Sequence, residues 1–247
     1  MSKHAAPSNA LSNDKTFMSP FTPSYWKAAA LEVKSIRTLA VMAMLLAATI
    51  VVRAYLWIPL GWVPNLRLKF DFLPEALAGA VGGPFLGVIF GALSDILSFL
   101  MNPTGAYFPG YTLSCALVML TFSLFFYRRK ISMWRIAVAK LLYNSLINIL
   151  LGSLWSHMML GKAYMVYFWS SLIKNSIMYP IETVMLFVLF GALIVPMVKL
   201  GLIPEQKTIF LPAVKKLFKK KDPFSEESPA DGAASVTEKT GVGKGEL

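Results

Sequence analysis

The chain has 247 residues, 56% of them hydrophobic and only 15% charged, with a mean hydropathy of +0.58. Soluble domains carry about 25% charged residues, so lipid rather than water is expected to surround most of this chain. The net charge of +11 does not require a nucleic-acid partner, because the basic residues cluster between apolar runs as membrane topology alone demands.

The first 35 residues are polar and mixed, and are expected to form a cytoplasmic segment that is disordered before about Pro23. They lack a charged stub leading into an apolar core of roughly 7–15 residues, so no cleavable signal is expected and the first span serves for insertion. Apolar runs that match the roughly 17–25 residues of a membrane crossing lie near 36–60, 70–83, 84–101, 110–127, 135–158 and 171–199. The predicted fold is therefore all-α, an integral membrane bundle of six transmembrane helices within 36–200. The second and third runs abut at Gly82-Gly83-Pro84. Glycine permits positive φ and proline suits a first helical turn, so a tight helical hairpin is predicted there.

Three basic groups, Lys3 to Arg37, Arg128 to Arg135 and Lys199 to Lys221, fall on one side of a six-span bundle. The positive-inside rule then makes both termini cytoplasmic and turns the loops near 61–69, 102–109 and 159–170 outward, where they form the natural mouth for a ligand. Within 201–221, Val214, Leu217 and Phe218 share one helical face while Lys215, Lys216, Lys219 and Lys220 share another. Such a segment either lies on anionic inner-leaflet lipid or is a solvated charge run. The residues 222–247 have too little apolar surface to fold and are expected to form a disordered tail.

Ionisable or strongly polar groups at membrane depth need a partner, a watery cavity or a function. Lys140, Asn144, Asn148 and Gly152 recur every four residues and Trp155 and Ser156 continue the row, which makes a polar stripe facing the bundle. Interhelical hydrogen bonding and ligand contact both account for its asparagines, and Lys140, near the cytoplasmic end, is expected to snorkel. The last span carries Lys174, Asn175, Tyr179 and Glu182, with Pro180 freeing a carbonyl one turn earlier and bending the helix. Lys174 and Glu182 stand about 12 Å apart along a helix, so each needs a different partner. Lys174 shares the outer mouth with Arg67 and Lys69, an exception to the positive-inside pattern that points to an anionic ligand. Gly87, Gly91 and Asp95 form a small-residue face on which Asp95 can hydrogen-bond a neighbouring helix, and Ala43-x-x-x-Ala47 offers a flat strip for either internal packing or a partner protein. The single cysteine, Cys115, can form no internal disulfide. His157 lacks companions at metal-ligand spacing, so no metal site is expected.

No phosphate-binding G-x-x-x-x-G-K-[ST] loop is present, and Gly241-Val242-Gly243-Lys244-Gly245 has neither its spacing nor its context. H-E-x-x-H and G-x-S-x-G are likewise missing. No repeat of broken helices marks a self-contained transporter. The expectation is a protein that is not an enzyme, takes no cofactor, and binds a ligand while energy is supplied elsewhere.

Several stretches together resemble a known family: Asn65-Leu66-Arg67, Phe72-Leu73-Pro74, Gly82-Gly83-Pro84-Phe85-Leu86-Gly87, Gly91 and Asp95, and above all Pro103-Thr104-Gly105-Ala106-Tyr107-Phe108-Pro109-Gly110-Tyr111-Thr112-Leu113-Ser114. With Leu172-Ile173-Lys174-Asn175 and Met178 to Glu182, the chain from about 38 to 199 resembles the folate-family substrate-binding S component of energy-coupling factor (ECF) vitamin transporters. The resemblance implies high-affinity capture of a small anionic vitamin, most readily folate, and partnership with a transmembrane coupling subunit and two ATPase subunits. It further implies that Ala43 and Ala47 face the coupling subunit. Combined with the polar residues above, it gives a ligand site of Arg67, Lys69, Tyr107, Phe108, Asn148, Trp155 and Lys174. A different vitamin or a nucleobase-like precursor, and a membrane scaffold that transports nothing, are the alternatives.

Overall fold

The computed structural model describes residues 15–59, 67–103, 106–161 and 163–206. The basic segment beyond residue 206, the tail at 222–247 and the loop residues Thr104 and Gly105 lie outside the described residues. In chain order the elements are α1 (Pro23–Glu32), α2 (Ile36–Tyr55), β1 (Trp57–Pro59), β2 (Arg67–Lys69), α3 (Phe72–Met101), α4 (Pro109–Phe126), α5 (Met133–Leu142), a π-helical segment (Tyr143–Leu151), α6 (Gly152–Leu160) and α7 (Tyr164–Lys199). Five helices among the described residues are long and apolar enough to cross a membrane: α2, α3, α4, the continuous Met133–Met159 stretch and α7.

The expected pair of runs at 70–83 and 84–101 is one 30-residue element interrupted at Gly83, where φ is 72° and ψ −176°. Only glycine adopts that conformation readily. The two arms that meet there fold back along the same neighbour. A Cβ on Gly79 would stand 2.9 Å from Phe122, one on Gly83 3.1 Å from the Tyr127 ring, and one on Gly91 2.5 Å from the Cys115 carbonyl oxygen. Contact thus climbs α4 from Phe122 to Tyr127 and then descends to Cys115, as in a helical hairpin with its apex at Gly83. The small-residue face of Gly87 and Gly91 is what lets the second arm approach α4 so closely.

Opposite the apex, the segment after α2 forms a short antiparallel ribbon in which Trp57 pairs with Lys69 and Ile58 with Leu68. The first span, expected to reach residue 60, ends at Tyr55, and the ribbon takes up its last residues together with part of the expected 61–69 loop. The ribbon brings the end of α2 beside the start of α3.

The core between the arms and α4 to α7 is aromatic, with Phe122 and Phe126 stacked at 5.8 Å and Phe126 against Phe190 at 4.9 Å. Composition predicts no packing before Pro23, yet Lys15 pairs with Glu32 at 2.9 Å and the Met18 amide donates to the Arg128 carbonyl at 3.0 Å. Glu32 is the reason: this buried carboxylate collects Lys15, Arg128 and the Thr38 hydroxyl, so it gives the preceding segment a charged anchor.

Helix α7 runs unbroken through Pro180 and Pro196 and begins at Tyr164, before the expected start near 171. Lys140 corrects another expectation. Its side chain is 0% exposed and its ammonium lies 3.0 Å from Glu182 on α7, so it does not snorkel. The amine also sits over the rings of Phe72 and Tyr143, at 4.1 and 4.0 Å from their centroids. Carboxylate and ring faces supply inside the bundle what the headgroup region would otherwise provide.

Candidate functional site

A cavity of about 690 Å³ opens at the end of the bundle away from Gly83, within the range of about 300–1,000 Å³ typical of small-molecule sites. The end of α2 contributes Ile50 and Arg53, β1 contributes Trp57, the two ends of α3 contribute Glu75 at one side and Asp95, Ser98 and Phe99 at the other, and Tyr107 and Phe108 before α4 join Tyr111 in its first turn. The π-helical segment adds Tyr143, Ile147 and Asn148. Its i to i+5 bonding widens the turn, an arrangement frequent at functional sites.

Arg53 organises the floor. Its guanidinium donates to Asp71 at 3.1 Å, to Glu75 at 2.6 Å and to the Ser94 carbonyl at 3.3 Å. One side chain of α2 thereby ties down both the start and the far arm of α3. Both carboxylates sit where the helix begins, so the positive end of the helix dipole offsets their charge alongside Arg53.

The wall is built by a chain of hydroxyls. Thr112 donates to Asp95 at 2.6 Å, the Cys115 thiol lies 3.7 Å from the other Asp95 oxygen, and Tyr107 meets Thr112 at 2.7 Å. Because the single Thr112 proton goes to Asp95, Tyr107 must be the donor in the last contact. The Tyr107 ring rests on Phe99 at 5.3 Å. Phe108 is flanked by Tyr111 at 6.0 Å and Trp155 at 5.6 Å, and the Trp155 indole donates to Ser114 at 2.9 Å. Gly110 makes this crowding possible, since a Cβ there would collide with the Phe108 ring and come within 2.7 Å of Trp155.

Of the residues expected at the site, Lys69, Tyr107, Phe108 and Asn148 line the cavity together. Trp155 stands one layer back, behind Phe108 and Ser114. Lys174, half-buried on α7, is not among the lining residues. Arg67 belongs to β2, and its side chain lies outside what the structure describes. Asn148 donates to Asn144 at 3.4 Å, continuing the polar stripe. Ala43 and Ala47 are exposed on α2, away from the cavity. Among the described residues no cluster of metal-ligating side chains occurs.

Sequence reasoning passed over Arg53, Glu75, Ser98 and Tyr143, all in the lining. The signal for the first two was available: an arginine inside the first span and a glutamate inside the second are ionisable groups at membrane depth, which default to functional candidates. Asp95 bonds a neighbouring helix as expected, and it also faces the cavity.

Residues 37–199 match the family model described as ECF transporter, substrate-specific component. The folate transporter FolT of Clostridium novyi (strain NT) is 36% identical over 160 residues, which cover 65% of this chain and 90% of that protein. The folate transporter FolT of Leuconostoc mesenteroides subsp. mesenteroides is 31% identical over 123 residues, covering 47% of this chain and 66% of its own. Among solved structures, a crystal structure of FolT bound with folic acid aligns with a TM-score of 0.56 and 32% identity, over 62% of this chain and 91% of that one. With a family match across all the membrane-spanning helices and a relative covered over nearly its whole length, this multi-pass membrane chain belongs to the substrate-specific components of ECF transporters.

Proposed function

We propose that this protein captures folate outside the cell, as the membrane S component of an ECF importer powered by a separate coupling subunit and two ATPase subunits. The observation that carries the reading is the cavity of about 690 Å³, walled by aromatic rings and polar groups, in a chain 36% identical to a folate transporter. Phe108, backed by Trp155 and Tyr111, offers ring faces for a flat heterocycle, and Asn148 offers an amide. Arg67, Lys69 and Lys174 supply positive charge for the ligand carboxylates, each such hydrogen bond contributing about 1.5–3 kcal/mol.

The topology that fits is six spans in the cell membrane, counting the two arms of α3, with both termini cytoplasmic. Phe72–Gly82 alone would run only about 16 Å, so the apex at Gly83 stays close under the surface and relies on Tyr127 and α1 for cover. Arg128, Arg129, Lys130 and Arg135 lie at that end, which the positive-inside rule assigns to the cytoplasm. The cavity then faces outward. Ala43 and Ala47 give the coupling subunit an exposed small-residue strip for close helix approach.

Calorimetric titration of folic acid into the purified chain tests the reading, with micromolar or tighter affinity expected. Failure to bind folic acid while another vitamin binds would replace folate. Absence of any vitamin binding, together with co-purification with wall enzymes rather than ATPases, would replace import.

A further inference from the structure

Three carboxylates line the cavity: Asp71, Glu75 and Asp95. They are not equivalent. Arg53 engages Asp71 and Glu75 directly, at 3.1 and 2.6 Å, so the charge of these two is offset within the protein. Asp95 is engaged instead by neutral donors, the Thr112 hydroxyl at 2.6 Å and the Cys115 thiol at 3.7 Å.

A carboxylate has about four acceptor positions, and these two contacts occupy one on each oxygen. Desolvating what remains is costly unless N–H or O–H groups arrive with the occupant. Ser98 stands three residues further along α3, hence on the same helix face. It also lines the cavity, and its hydroxyl oxygen is buried with no hydrogen-bond partner among the described residues. The second arm of α3 thus presents two unsatisfied acceptor positions beside one uncommitted hydroxyl, close to the rings of Phe99, Tyr107 and Phe108.

We propose that Asp95 and Ser98 read the ring edge of the ligand. Asp95 accepts two N–H bonds, from the 2-amino group and the adjacent ring N–H of a 2-amino-4-oxopteridine, and Ser98 donates to the neighbouring carbonyl oxygen. The assignment rests on the folate reading above and deepens it. It follows from complementarity: the edge runs donor, donor, acceptor, and the wall runs acceptor, acceptor, donor. It also sets an orientation, because an anionic tail has no reason to approach Asp95, and the cationic Lys69 lines the same cavity from the ribbon, two residues before Asp71 at the start of α3. Through Thr112, Asp95 additionally fixes Tyr107 over the site.

The test compares two ligands on the full-length chain by calorimetry in detergent: folic acid, and an analogue carrying methyl in place of the ring 2-amino group. The native protein should bind the analogue at least about tenfold more weakly. Asp95→Asn, which offers one acceptor and one donor, should weaken folic acid at least about tenfold and change the analogue much less. Ser98→Ala should weaken both compounds alike, since both keep the carbonyl. Equal affinity of the native protein for the two compounds overturns the proposal, and that comparison holds whether or not the Asp95 variant folds. A folded Asp95→Asn protein that loses both ligands equally also overturns it, assigning Asp95 a purely structural part. Failure of the native protein to bind either compound overturns the folate reading itself.

Discussion

Lys140 on α5 places its ammonium 3.0 Å from the Glu182 carboxylate on α7, with the lysine side chain wholly sealed and the glutamate 13% exposed. The asymmetry of exposure gives unequal consequences for cutting the pair. Losing the carboxylate strands a buried cation, which costs about 3–5 kcal/mol when a buried pair is broken. Losing the lysine leaves an acid that can still reach solvent or a neighbour. Glu182→Gln should therefore lower the melting temperature in detergent more than Lys140→Met, and the double variant should recover part of the loss. Equal destabilisation by the two single changes would contradict this account.

The same pair shows where sequence reasoning reached its limit. The four-residue stripe of Lys140, Asn144 and Asn148 was legible, because periodicity follows from helix geometry alone, and so was the need of Glu182 for a partner other than Lys174. That Glu182 would choose Lys140 was not, because the choice depends on how α5 and α7 pack. The Gly83 break was legible for the opposite reason: Gly-Gly-Pro dictates its conformation locally. At the cavity, Tyr107 and Phe108 came from a contiguous loop motif, whereas the cluster of Arg53 with Asp71 and Glu75 joins residues on two helices across a ribbon that the sequence reading divided between the first span and a loop.

Gly83 and Gly161 form a matched comparison, with nearly the same φ of 72° and 70° but different surroundings. A Cβ on Gly161 meets nothing within 4 Å, while one on Gly83 presses on the Tyr127 ring at 3.1 Å. Gly83 also has ψ of −176°, in a region nearly exclusive to glycine that costs about 1–3 kcal/mol for other residues. Gly83→Ala should be the more destabilising by at least about 1 kcal/mol, read as the shift in the thermal unfolding midpoint. A smaller effect than that of Gly161→Ala would mean that the arms do not need this apex.

Glu32 makes attachment of α1 depend on pH. Burial pushes its carboxyl up, but the Lys15 hydrogen bond and charge, the Thr38 hydroxyl and Arg128 outweigh this and hold it below the usual 4.5. A depressed carboxylate contributes stability that is fully present above its unfolded value and is lost as pH falls through its folded value. Protease protection of the Lys15–Thr22 segment should accordingly hold at neutral pH and fall only in acid, as pH drops below the ordinary carboxylate range. Glu32→Gln should show the weakened protection at every pH, and an unchanged acid transition in that variant would assign the effect to another group.

The cationic side of the site is tested by choosing ligands as well as variants. Lys69 lines the cavity mouth and is exposed there, so it can meet a carboxylate without being desolvated beforehand. Lys69→Ala should weaken folic acid about tenfold, and added salt should narrow the difference from the native protein because an exposed charge is screened. A pterin with no carboxylate should bind both proteins equally. Lys174 stands on α7 outside the lining residues, so Lys174→Ala should produce a smaller loss, confined to the carboxylated ligand. If the pterin is also lost on removing Lys69, that lysine supports the ribbon rather than the anion, and the charge that selects folate must come from Arg67 or Lys174.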